Sequence, residues 1–234
     1  MTSPPYVPGR RDYEGIDTLR FRYRTDGEAA AALLPDVFEV EDRPIATISW
    51  VSFGVSSPGA YREVATTIDC RWGEEVFSFA LRYYVTNDTA MVAGREWIGF
   101  AKMGGHVDWD PRAVTTDAPI RAALERPKGL LLATGVFMPT EWVGPGREKS
   151  FTSWNLRVVP HAIPTEEPSV RELVRYGFTI SGGSVWKGIG APHFSGASPI
   201  DPLHELPVLE MVDATYIHDS RLRVDAPDKT VPLG

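Results

Sequence analysis

A mainly β fold, built on a closed or sandwiched antiparallel sheet with a few short helices, is what this sequence predicts, on three observations. Strand-like segments recur along the chain, turn residues separate them, and only one stretch carries helix signals at both ends. "TLRFRYR" (18–24) sets Leu19, Phe21 and Tyr23 on one face of a strand and arginines on the other. "TDGEAAAALLP" (25–35) offers Thr25 or Asp26 as N-cap, an alanine-rich body and a closing Pro35, so it predicts a helix. "PIATISWVSFGV" (44–55) and "EVFSFALRYYV" (75–85) are rich in β-branched and aromatic residues and predict strands. "IRAALERPKGLLLATGVFM" (120–138) predicts a hairpin turning at Pro127-Lys128-Gly129, with a first arm equally compatible with a helix. Further strands are expected at "SFTSWNLRVVP", "VRYGFTI" and "LPVLEMVDATYI". "VGPGREK" (143–149) and "GGSVWKGIGAPHFSGASP" (182–199) read as loops. The first dozen residues and "DAPDKTVPLG" (225–234) read as terminal arms, free or laid across a partner subunit.

No linker or repeat divides the 234 residues, so a single domain over 1–234 is expected. The formal net charge of −7 argues against nucleic acid and anionic membrane as partners, because both demand concentrated positive charge. No run approaches the roughly 18 apolar residues of a membrane-spanning helix. The N-terminus lacks the apolar stretch of a secretory signal, and the single Cys70 cannot close an intrachain disulfide; both point to the cytoplasm.

The motifs that would carry other chemistries are missing. Histidines 106, 161, 193, 204 and 218 are scattered, with no HExxH, His-x-His or CxxC, so no metal is expected. "GGSVWKGIG" lacks the residue order of a phosphate-binding loop, and no G-x-S-x-G supplies a serine nucleophile. What stands out is Lys102. It is the first lysine in the chain, set among Trp97, Ile98, Phe100, Ala101 and Met103 in "GREWIGFAKMGG" (94–105). A lysine kept from water yields free amine near neutrality, and a free amine condenses with a ketone to an iminium, an electron sink for breaking a neighbouring bond. A lysine with apolar sequence neighbours more often snorkels to solvent, so the residues around it decide.

Those residues carry a resemblance. "AGREWIGFAK" (93–102) resembles the active-site segment of the acetoacetate decarboxylase family, Gly-Arg-Glu followed by the Schiff-base lysine. "YRTD" (23–26), "LLPDVFEVED" (33–42), "YREV" (61–64), "SVWKGIG" (184–190) and "PLHELPVLEMVDATYI" (202–217) follow the family's other segments in order, so the resemblance covers most of the chain. It implies an antiparallel β-barrel or cone around a buried pocket, a homo-oligomer, a small oxo acid or ketone as substrate, and no cofactor. Carried over, Lys102 is the iminium-forming lysine and Glu63 the pocket glutamate that moves a proton. Arg95 and Glu96 become a buried, mutually satisfied ion pair near the pocket. Trp97, Phe100 and Met103 line or back it. Tyr216, on the C-terminal strand, is a candidate second acid, and Arg82 a candidate partner for a substrate carboxylate.

The departures narrow the chemistry. Family decarboxylases follow the nucleophile with a second lysine, whose charge helps depress the nucleophile's pKa; here Met103 stands there. Their pocket arginine falls at Ile16, a second pocket glutamate at Ile48 or Ser49, and the proline before the lysine at Ala101. The resemblance to the superfamily's divergent branch therefore ranks a Schiff-base aldolase-dehydratase acting on a 2-oxo acid or ketone first. Decarboxylation of a larger, apolar β-keto acid comes second, and a non-catalytic protein that binds an apolar ligand third.

Overall fold

The computed structural model describes residues 6–109, 111, 118–196, 198 and 200–233. Twelve strands among them form one sheet: β1 (Arg11–Arg24), β2 (Ile45–Val55), β3 (Tyr61–Trp72), β4 (Glu75–Val85), β5 (Lys102–Gly104), β6 (His106–Trp109), β7 (Ile120–Glu125), β8 (Leu131–Pro145), β9 (Lys149–Val159), β10 (Val170–Phe194), β11 (Glu210–Val224) and β12 (Lys229–Pro232). Their order is β5-β4-β3-β2-β1-β11-β10-β8-β7-β6, with β9 and β12 also paired to β10. Neighbours are antiparallel except β5, which runs parallel to β4. The hydrogen-bonded ladder is open, with β5 and β6 at its edges. Side chains bring β9 back to β4: Ser153 Oγ donates to the Ser78 carbonyl and Trp154 Nε1 to Glu75. The strands thus wrap into a cone although the sheet does not close.

The alternation read in "TLRFRYR" is real, but its polar face looks into a half-open chamber rather than onto the outer surface. Leu19, Phe21 and Tyr23 pack with Ile48 and Trp50 of β2 against Trp109, Ile120, Leu124 and Phe137 of β6–β8, forming the main core. Thr18, Arg20 and Arg22 point the other way, into the hollow of the cone. A period of two on a strand covered on both sides sorts residues between core and chamber rather than between core and solvent.

The expected helix is α1 (Gly27–Leu33), capped by Asp26, whose side chain accepts from the Ala29 amide. It covers a second core built from Ile68, Phe77, Phe79 and Trp154. The 120–138 segment is the expected hairpin, and its first arm is strand, not helix. Two expectations fail. The supposed loop 182–199 is strand through Phe194, because β10 lies between β8 and β11 and pairs with both. Gly188 and Gly190 mark close approach rather than turning: a Cβ on Gly188 would sit 2.2 Å from the Met138 carbonyl oxygen, and one on Gly190 2.2 Å from that of Val136. The C-terminal arm is not free either; β12 pairs with Glu172–Arg175 of β10. In the 143–149 stretch only residues 146–148 lie outside strands. Of the N-terminal arm, residues 1–5 lie outside the described part. Among the described residues no helix is long and apolar enough to cross a membrane.

Candidate active site

Lys102 reaches the chamber through an unusual piece of backbone. α2 (Asp88–Ala93), capped by Asn87 on the Ala90 amide, runs into a single π-helical turn, Gly94–Ile98, whose residues are the "GREWI" of the lysine motif. Such turns insert a residue into a helix and frequently occur at functional sites. Gly99, at φ +84°, ends the turn where a Cβ would strike Arg157, and the chain then enters β5 with Lys102 beside Tyr83. The Tyr83 amide donates to the Ala101 carbonyl, and Arg95 Nη1 donates to the Lys102 carbonyl at 2.9 Å. The backbone under the amine is held from both sides.

The side chain is held as firmly. Lys102 is 8% exposed and Glu63 5%. Lys102 Nζ donates to Glu63 Oε2 at 2.6 Å. The rings of Phe100, Tyr83 and Tyr61 stand 5.5, 5.8 and 5.9 Å from the nitrogen, an aromatic cage of the kind that attracts a cation. Gly94 packs on the stem: a Cβ there would lie 2.7 Å from Lys102 Cδ and 2.8 Å from Cε. The amine is neither surface nor core. It opens onto a half-open chamber of about 530 Å³, lined at this end by Tyr13, Phe53, Tyr61, Glu63, Tyr83 and Lys102.

Burial pushes the phenol of Tyr61 well above the usual tyrosine value, and the Glu63 charge adds to the shift. Burial does the same to Tyr83, with Tyr176 and Glu63 adding smaller pushes in the same direction. Tyr13 is raised by burial too, against the opposing pull of Arg11. All three therefore face the amine as neutral phenols through the physiological range. A carboxylate and an amine sharing one proton across 2.6 Å can exchange it with no change in net charge, so the exchange avoids stranding an unpaired charge in a desolvated place.

The other residues singled out in the sequence divide by strand parity. Trp97, Phe100 and Ile16 line the chamber with Lys102 and Glu63. Met103 follows Lys102 on β5, points the opposite way and packs against the main core. Arg82 precedes Tyr83 on β4 and is likewise not part of the chamber lining, so it is not placed to meet a substrate carboxylate there. Tyr216 is fully buried on the core side of β11, its ring 6.3 Å from Trp109, while its neighbour Ile217 faces the chamber. A phenol behind the sheet cannot deliver a proton into it. Arg95 and Glu96 are exposed and do not make the expected buried pair. Of the two candidates for the family's second glutamate position, Ser49 lines the chamber and Ile48 belongs to the core.

Arg11, Tyr61 and Tyr83 are site residues that sequence reasoning misses; Tyr61 stands in the "YREV" motif, but only Glu63 of that motif is carried to the site. Arg11 starts β1, its guanidinium 5.3 Å from the Trp97 ring centre, and its charge is felt by both Tyr13 and Tyr61. It is a second cation at the Lys102 end of the chamber, and its Nε is enclosed without a hydrogen-bond partner. Strand alternation extended back from "TLRFRYR" would set Arg11 on the core face with Leu19 and Phe21; the register shift around Gly15, at φ +63°, turns it into the chamber instead.

Among the described residues no cluster of His, Cys, Asp and Glu has the geometry to hold a metal. The chemistry the site offers is that of an amine, a carboxylate and phenols around a carbonyl-sized space. Known proteins are similar to this chain in sequence and in shape. The family model for acetoacetate decarboxylase matches residues 1–229. The chain is 34% identical over 218 residues to Decarboxylase DEC1 of Cochliobolus heterostrophus, covering 92% of this chain and 86% of that one. It is 26% identical to an acetoacetate decarboxylase of Chromobacterium violaceum, covering 92% and 87% of the two chains. Among solved structures it is similar to an acetoacetate decarboxylase from Legionella pneumophila, at TM-score 0.81 and 17% identity over 99% of this chain and 92% of that one. It is also similar to the enduracididine biosynthesis enzyme MppR complexed with the condensation product of pyruvate and imidazole 4-carboxaldehyde, at TM-score 0.77 and 16% identity over 98% and 91%. With the motif folded around a sequestered amine, and the match running almost end to end, the chain belongs to the acetoacetate decarboxylase family.

Proposed function

We propose that this protein is a Schiff-base decarboxylase of a 3-oxo acid, with Lys102 as nucleophile and Glu63 as proton carrier. The observation that carries the reading is the 2.6 Å pairing of a buried amine with a buried carboxylate inside a cage of three aromatic rings. Glu63 takes the proton of Lys102, and the free amine adds to the C3 carbonyl. Loss of water, with Glu63 returning the proton to the departing oxygen, leaves a cationic iminium on Nζ. The C2–C1 bond then breaks. Its electron pair moves into the iminium to give an enamine, and CO2 leaves. Protonation at C2 and hydrolysis release the methyl ketone and the amine, so one 3-oxo carboxylate and one proton become one ketone and CO2. The aromatic cage favours positive charge on Nζ whether it belongs to ammonium or iminium, by about 0.5–2 kcal/mol per well-placed ring. Arg11 supplies the second cation at this end and holds the substrate carboxylate before it leaves.

The decarboxylase relatives support this order of preference, which reverses the one drawn from sequence. Aldol condensation with dehydration on a 2-oxo acid is the second reading. It is favoured by Ile16 and Met103, which stand where family decarboxylases carry cations, and it shares every step up to the iminium. The test is borohydride trapping with acetoacetate and with pyruvate, followed by peptide mass analysis and CO2 release. A reduced adduct on Lys102 with CO2 from the 3-oxo acid supports decarboxylation. An adduct with a new carbon–carbon bond and no CO2 moves the assignment to the aldolase. No adduct with any carbonyl compound makes the protein a binder.

A further inference from the structure

The chamber is far larger than acetoacetate needs; about 530 Å³ is the size of a pocket for a drug-sized ligand. Its walls differ. An unbroken series of rings starts beside the amine and climbs outward: Tyr83 against Phe100 at 5.1 Å, Phe100 against Tyr176 at 5.1 Å, Tyr176 against Phe178 at 6.1 Å, Phe178 against Phe151 at 5.2 Å. Each of these rings lines the chamber, and the last, Phe151, is 45% exposed, which puts the rim there. Along β1–β3 the wall changes with height. Glu63, Val51 and Thr18 form one rung across the strands; Ala65, Ser49 and Arg20 the next; Thr67, Thr47 and Arg22 the one above, with Asp69 beyond. From Glu63 to Asp69 this wall runs roughly 20 Å measured along the strand. Arg22 is paired with Asp213 at 3.0 Å, but Arg20 lies 3.9 Å from that carboxylate and its enclosed Nε has no partner.

An aromatic stair ending in open air, opposite a wall of hydroxyls and guanidinium groups, fits a chain that is apolar on one edge and oxygenated on the other. We propose that the substrate is a long-chain 3-oxo acid carrying oxygen on its tail. The acid head reaches Lys102 and Arg11, the carbon chain lies on the rings from Phe100 to Phe151, and a tail oxygen accepts a hydrogen bond from Arg20. The proposal rests on the Schiff-base reading for its head group only. A short acid would leave the stair and its polar counterpart wet, and burying apolar chain against aromatic rings is what raises affinity with length.

Two measurements test it. CO2 release is compared for acetoacetate, 3-oxooctanoate and 3-oxododecanoate in the wild type, Phe178→Ala and Phe178→Leu. Binding of 3-hydroxydodecanoate, which lacks the ketone, is measured by calorimetry beside that of its 3,7-dihydroxy analogue, in the wild type and Arg20→Gln. The expected result is kcat/KM rising with chain length by roughly a hundredfold overall, and a Phe178→Ala loss about tenfold larger on the longest acid than on the shortest, mostly restored by leucine. The dihydroxy acid should bind about tenfold tighter than the monohydroxy acid, with the difference gone in Arg20→Gln. Tight binding of the hydroxy acids without CO2 or a trapped imine would sink the decarboxylase reading and leave this one standing. Turnover of acetoacetate with no gain along the chain-length series, or a Phe178→Ala loss equal for all three acids, would overturn this one. A dihydroxy acid binding no better than the monohydroxy acid would remove the tail oxygen from it.

Discussion

Lys102 and Glu63 form a buried ion pair, and such a pair contributes most visibly when it is broken. Replacing Lys102 by methionine leaves Glu63 as an unpaired group in a place with 5% exposure, so unfolding free energy should fall by about 3–5 kcal/mol in a urea titration. The double variant Lys102→Met, Glu63→Gln removes both charges and should recover most of that loss. Non-additivity of this kind identifies a desolvated pair; equal and additive losses would mean that the two groups reach water. Gly94→Ala separates position from chemistry. The nearest atoms to its Cβ are Cδ, Cε and Cγ of the flexible Lys102 stem, so the protein should fold and keep its melting temperature within about 3 °C while the amine shifts off Glu63. A displacement near 1 Å costs on the order of a hundredfold in kcat, and trapping by borohydride should slow in step. Unchanged turnover in Gly94→Ala would mean that the lysine rests elsewhere during the reaction.

At the scale of elements, β10 shows why the sequence was only partly legible. Lys102, Glu63, Trp97 and Phe100 are readable because a motif announces them, β1 because alternation does, and β2 and β4 because β-branched and aromatic residues crowd them. The segment 182–194 carries four glycines, at 182, 183, 188 and 190, in turn-like company, and reads as a loop. What a glycine means depends on what stands across from it, and the partner carbonyls of Met138 and Val136 are remote in sequence. The same blindness hid the sides of Tyr216, Arg82 and Met103. Each lies next to a chamber residue, and a one-residue change of parity, such as the irregularity near Asp219 at φ +56° on β11, decides between pocket and core. Gly188→Ala follows from this. Its Cβ would press on the Met138 carbonyl and the Phe137 ring, neither free to move, so thermal unfolding should report a loss of about 1–3 kcal/mol, with β8 and β10 losing amide exchange protection first. A neutral substitution would mean that the two strands are not in this register.

At the scale of the whole molecule, the cone works because its strands are covered on both faces: outside by the packed core of β6–β8, inside by a chamber whose narrow end is crowded with phenols. Those phenols tie stability to pH. Tyr13, Tyr61 and Tyr83 are all held above the ordinary value of 10.0, chiefly by burial, so in the folded state they keep their protons where an unfolded chain would lose them. With fewer protons bound in the unfolded state than in the native one, the derivative of unfolding free energy with pH is negative. The contribution is therefore fully present below pH 10 and is lost as pH rises from there toward the folded-state values. Each phenol that stays protonated adds a slope of about 1.4 kcal/mol per pH unit, so three of them acting together should collapse the fold within roughly two pH units of its onset. Urea midpoints measured from pH 7 to 11 should stay flat and then drop steeply above 10, with tyrosinate absorbance at 295 nm appearing together with unfolding rather than before it. Tyr23, Tyr84 and Tyr176 are raised by burial as well, so replacing Tyr61 by phenylalanine removes one of several titrating groups and should make the drop shallower. A tyrosinate signal that grows in while the fold persists would show the phenols open to water, and the sealed floor on which the amine depends would go with them.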